Sequence, residues 1–282
     1  MPKDLQDKRR QRNLAIAKAT GRNYIIKTDE GDTEKWGVRP VKTVLSKHLL
    51  VTGTGRCGTH FMSKALSKAG LDIPHERVGE HGTSSHFFAT DSDWYPMFTH
   101  DDDIKAHIGE RKSDYRFRYI IHMVRDPLKC IHSINAVFRK PTYDFFIDNK
   151  IIPNSYDPFE KRGKYWKAML VYYFVNKYIE GKHKKAIRVR LEDISKVWSS
   201  LMTDIDFPEL PLIVDKPSNT GRSIIPFFNT QKLITIEKLF ETDYEMAEKI
   251  FELAVHYGYN KYTKENLHGT GKGILQQSKM DI

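Results

Sequence analysis

A chain of 282 residues, 39% hydrophobic and 12% aromatic, can bury one good-sized core, and its net charge of +10 draws it toward anions: nucleic acid, an acidic membrane surface, an acidic glycan or a phosphorylated cofactor. Its two cysteines, Cys57 and Cys130, lie far apart, which excludes a disulfide framework and a cysteine-rich zinc cluster and points to a reducing compartment. The start, MPKDLQDKRRQRNLAIAKAT, lacks an apolar core of signal-peptide length, and no apolar run approaches about 18 residues, so the expectation is a soluble, cytoplasmic protein.

Residues 1–45 read as a basic N-terminal extension, for which a solvated arm is the simpler account and a nucleic-acid contact the other. From His48 the pattern alternates strands and helices, the mark of an α/β domain, assigned to residues 46–261, with a mostly parallel central sheet flanked by helices. HLLVT is a short buried strand. Phe61, Met62, Ala65, Leu66 and Ala69 then fall at helical spacing, with Gly70 as the stop.

YIIHMV, Tyr119 to Val124, is a second strand, and Pro127 suits the first turn of a helix carrying Ile131, Ile134 and Phe138. KYWKAMLVYYFVNKYIEG is apolar on most faces and reads as a buried helix closed by Gly181. AIRVRLED, Ala186 to Asp193, is a third strand. Two amphipathic helices follow, near Thr230–Phe240 and Tyr244–Tyr257, and residues 262–282 read as a flexible tail.

The stretch LLVTGTGRCGTHF, Leu49 to Phe61, carries the chemistry. Strand, glycine-rich loop and helix let backbone N–H groups converge on an anion at a helix N-terminus, and Gly53, Gly55 and Gly58 allow the turn. The nucleotide-triphosphatase pattern fails where it needs Lys and then Ser or Thr, because Thr59 and His60 stand there. Arg56 supplies a charge instead, which suits an anion held without a metal. A second corner lies in HMVRDPLKCIHSI, where Arg125 ends a strand and Ser133 lies about two turns into the next helix, so both could close on one phosphate.

On these residues the chain resembles the sulfotransferases that use 3′-phosphoadenosine 5′-phosphosulfate: TGTGRCGTHF looks like their 5′-phosphosulfate loop and IIHMVRDPLKCIHS like their 3′-phosphate segment. The likeness continues more weakly through Trp166, RLED and YGY, covering roughly Leu49 to Tyr259. It implies a three-layer P-loop-type fold and sulfuryl transfer to an acceptor hydroxyl without a metal. Gly55, Arg56, Cys57, Gly58, Thr59 and His60 would then line the 5′-phosphosulfate, Arg125 and Ser133 would hold the 3′-phosphate, and Arg222 in NTGRS would cover it, although the family's usual Arg-Lys-Gly form is absent there.

The acceptor needs a general base, and GLDIPHERVGEHGTSSHFF gathers His75, Glu76, Glu80, His81 and His86. The segment resembles the base region of bacterial carbohydrate sulfotransferases, which makes Glu76 the first choice and favours a saccharide or glycolipid acceptor, with peptide tyrosine and small alcohols open; His81 is the second choice, because a neutral His is a competent base near pH 7, and a bacterial or phage cytoplasm is the expected setting. These histidines lack zinc-ligand spacing, and HDDD, His100 to Asp103, could be read as a metal cluster, although an acidic helix start is the simpler account. The aromatic stretch Tyr143 to Phe159 could line an acceptor cleft or pack a core. Two other classes stay open at this point: a kinase with a divergent loop, which would prefer magnesium–ATP, and a basic nucleic-acid-binding protein, for which no recognised motif is present and no stable partner is expected.

Overall fold

The computed structural model describes residues 24–27, 33–36, 44–90, 115–138, 140–156, 162–208, 210–213 and 234–270. In the N-terminal segment, β1 (Tyr24–Lys27) and β2 (Thr33–Trp36) pair as an antiparallel ribbon. The main sheet comprises β3 (Leu45–Gly53), β4 (Gly82–Ser84), β5 (Tyr115–Val124) and β6 (Ile187–Arg190) in the order β4-β3-β5-β6, with every pairing parallel.

A parallel sheet is covered on both faces, so its strands need continuous apolar runs and not alternation. Leu49, Leu50 and Val51 of β3 and Ile121, Met123 and Val124 of β5 are all buried. The cover comes from α1 (Thr59–Lys68), α2 (Pro127–Val137), α3 (Lys140–Asp148), α4 (Trp166–Lys182), α5 (Ile194–Asp204), α6 (Ile236–Thr242), α7 (Tyr244–His256) and α8 (Lys264–Thr270). This is the three-layer α/β architecture expected from the alternation of patterns. No described helix is long and apolar enough to cross a membrane.

Local signals place several helix ends. Gly70, at φ +91°, follows α1, and the bonds from Gly70 N to Ser67 O and Leu71 N to Leu66 O close its last turn. Asp126 caps α2 by accepting from Leu128 N at 3.0 Å and Lys129 N at 3.3 Å, with Pro127 in the first turn.

Three boundaries differ from the sequence expectation. Helix α4 passes through Gly181 to Lys182, because burial of Trp166, Tyr172, Val175 and Ile179 along its length outweighs a glycine penalty of about 1 kcal/mol. Strand β6 stops at Arg190, and Leu191–Asp193 turn as a 3₁₀ helix. The C-terminal region from residue 262 is not wholly a loose tail: Tyr262 is buried, and α8 follows it.

Beneath the sheet, His122 Nε2 donates to Asn176 Oδ1 at 3.0 Å, an orientation set because Asn176 Nδ2 donates to Tyr172 O at 2.9 Å. Burial pushes the His122 imidazole down from 6.5 to about 4, offset in part by Asn176. As pH falls, the unfolded chain therefore takes up the proton first. Stability is expected to be level above pH 6.5 and to drop from there to pH 4, by roughly 3 kcal/mol from this group. Half-buried His60, also lowered to about 4, adds in the same direction. Urea unfolding at pH 7 and pH 4.5 checks this, with His122→Gln expected to flatten the slope.

The connection from β3 leads to β4 on one side, whereas that from β5 leads to β6 on the other. Such a switch in direction opens a crevice at the carboxyl ends of the two strands, where ligands of open α/β sheets bind.

Candidate functional site

The loop after β3 fills this crevice. Gly53 leaves the strand so close to β5 that a Cβ would stand 2.3 Å from Met123 O and 2.5 Å from Cys57 Sγ. Gly58, at φ +115°, forms the N-cap of α1 with no side-chain cap. Gly55 packs under the Phe138 ring, and its carbonyl accepts a weak S–H bond from Cys130 at 3.8 Å.

Between these glycines Arg56 is held at φ +74°, a left-handed conformation that a residue with a side chain keeps only when its surroundings enforce it. The enforcing contacts come from β5 and α2. Arg125 Nη1 donates to Arg56 O at 3.0 Å, and Arg56 Nε donates to Ser133 Oγ at 2.9 Å. Burial lowers the pKa of Arg56, and the adjacent Arg125 guanidinium lowers it further. Arg125 Nε is buried without a hydrogen-bond partner. Two guanidinium groups and a hydroxyl thus converge on the uncapped start of α1.

Two anchors hold Arg125 and its strand end in place. Tyr172 of α4 donates its hydroxyl to Arg125 O at 3.1 Å. Asp126, next in sequence, also accepts from Tyr262 Oη at 3.1 Å and pairs with Lys261 at 2.5 Å. The start of α2 therefore already carries its own carboxylate. Neither Tyr172 nor Tyr262 has a local sequence signal for this role, since each acts across the fold.

Cys57 is a buried thiol beneath the loop, raised by desolvation and by Cys130, and its N–H closes the turn on Thr54 O at 3.2 Å. It shapes the loop from beneath. Thr59 opens α1 and is tied to β4, its carbonyl accepting from Ser84 Oγ at 2.7 Å. His60 lies edge-on to His75 at 5.0 Å and is kept neutral at pH 7 by burial, then by His75, Lys64 and Arg56.

Glu76 reaches the same end of the sheet. The residues before it return alongside β4, where His75 bridges to Ser84 and Glu76 N donates to Ser84 O at 3.1 Å, with Glu76 itself at φ +59°. His86 Nδ1 lies 2.9 Å from Glu76 Oε1, Ser85 Oγ donates to Oε2, and His75 Nε2 is 3.4 Å from Oε1. His75 Nε2 is also 3.3 Å from Thr59 Oγ1, which links the carboxylate to the loop.

His81 does not join them. It precedes β4, and its carbonyl accepts from His48 N and Leu49 N midway along β3, while its Nδ1 accepts from Asp72 N at 3.1 Å. Of the two sequence candidates for a base, Glu76 is the one linked to the loop, through His75 and Thr59. Arg222, His100 to Asp103 and the end of the aromatic stretch lie outside the described residues. Among the described residues no group of His, Cys, Asp and Glu is arranged to hold a metal ion.

Comparison of the chain with protein-family models, curated proteins and solved structures finds no match. The functional reading therefore rests on the site.

Proposed function

We propose that this crevice binds 3′-phosphoadenosine 5′-phosphosulfate and transfers its sulfuryl group to an acceptor hydroxyl, of a saccharide or glycolipid. The observation that carries the reading is the meeting of Arg56, Arg125 and Ser133 at the uncapped N-terminus of α1, beside a carboxylate already fixed by hydrogen bonds. Side-by-side guanidinium groups repel, and a ligand with separate phosphate charges would relieve that cost.

In the transfer, the acceptor oxygen forms a bond to sulfur as the bond from sulfur to the 5′-phosphate oxygen breaks, and its electron pair leaves with the phosphate. Arg56 and the first-turn N–H groups of α1 face that growing charge. Glu76 accepts the proton of the hydroxyl. The two cysteines, both free and buried, suit a reducing cytoplasm, bacterial or of a phage.

Calorimetric titration with adenosine 3′,5′-bisphosphate and, separately, with magnesium–ATP at matched ionic strength tests the reading. Binding of the bisphosphate in the micromolar range or tighter, with weak ATP binding, is expected. The reverse preference would replace it with a kinase.

A further inference from the structure

His75 stands where the two halves of the site meet. Its Nε2 is 3.3 Å from Thr59 Oγ1 and 3.4 Å from Glu76 Oε1, and its backbone is fixed by the bridge to Ser84 of β4. Among the described residues, the titratable groups around it include Glu76, His60 on α1 and, beyond Glu76, His86. A ring nitrogen with one proton can donate well to one acceptor at a time. With Glu76 ionised the charge-assisted bond is the stronger, so Nε2–H turns to the carboxylate. Once Glu76 carries a proton that pull weakens, and Thr59 Oγ1 receives Nε2–H instead. A hydroxyl that accepts a hydrogen bond donates a stronger one, so Thr59 then grips an oxyanion in the loop more tightly.

We propose that His75 is a positioning residue that couples the protonation of Glu76 to the bond Thr59 makes with an anion in the loop. This rests on the phosphosulfate reading above. The acceptor's proton, on reaching Glu76, strengthens the hold on the leaving 5′-phosphate in the same step, and no further reactant is needed.

The test is a double-mutant cycle on the full chain, read by calorimetry with adenosine 3′,5′-bisphosphate. Glu76→Gln imitates the uncharged carboxyl and is expected to tighten bisphosphate binding about fivefold. In the His75→Phe background most of that gain is expected to vanish, whereas a direct charge effect of Glu76 on the ligand would persist. His75→Gln, which keeps an N–H donor, is expected to restore the coupling. Thr59→Val removes the other end of the link and should abolish it too, so the result does not hang on one variant folding. Equal tightening with and without His75, or none in the native background, overturns the proposal while leaving the donor site standing. Failure of the native chain to bind the bisphosphate overturns both.

Discussion

Arg125→Ala is expected to weaken adenosine 3′,5′-bisphosphate by roughly 10- to 150-fold, the range for losing a hydrogen bond to a charged group, and adenosine 5′-monophosphate by only a few-fold. Arg125 Nη1 is spent on Arg56 O, but Nε is buried with nothing to donate to. An arrangement of this kind costs stability unless a ligand completes it. Removing Arg125 also relieves the repulsion that helps to lower the pKa of Arg56, so the melting temperature of the free protein should change little. The ligand-induced rise in melting temperature should collapse. Separate titrations with the two nucleotides check the assignment, and equal losses for both would move Arg125 from the 3′-phosphate to the loop side of the ligand.

Glu76→Gln is expected to cut sulfuryl transfer by about 10²- to 10⁴-fold without weakening donor binding. The substitution keeps the shape of the side chain and removes its ability to take a proton. It also presents an NH₂ either to Ser85 Oγ or to His86 Nδ1 and His75 Nε2, which now meet the carboxylate. That mismatch costs about 1–2 kcal/mol of folding stability, a separate effect that urea unfolding measures. Release of adenosine 3′,5′-bisphosphate from the phosphosulfate donor, over a panel of saccharides, reads the turnover. Should turnover survive, His75 becomes the next residue to replace, since it lies between Glu76 and Thr59.

The strand–loop–helix around Gly53 to Gly58 and the strand–turn–helix around Arg125 to Pro127 were legible in the chain because their causes are local. Apolar runs of strand length, a glycine where φ is positive, and Asp before Pro at a helix start act within a few residues of themselves. The buried central helix was legible for the same reason, although its end was not. Whether Gly181 stops α4 depends on what packs against the last turn, and packing is not a local property.

The alternation of elements and the spacing of Arg56, Arg125 and Glu76 thus belong to the sequence alone. Their meeting belongs to the fold. Arg56 and Ser133 are 77 residues apart, and they touch because β5 and not β4 lies on their side of β3, a choice of strand order that no local pattern encodes. The different placement of Glu76 and His81, five positions apart, is likewise a matter of register. Pairing Leu49 with Gly82 in parallel puts His81 beside the middle of β3, while the bridge from His75 to Ser84, which pairs with Val51, carries Glu76 further toward its carboxyl end. Parallel strands space their residues along one axis, so a shift of a few positions moves a side chain from one edge of the sheet to the other, and only the paired structure sets that position.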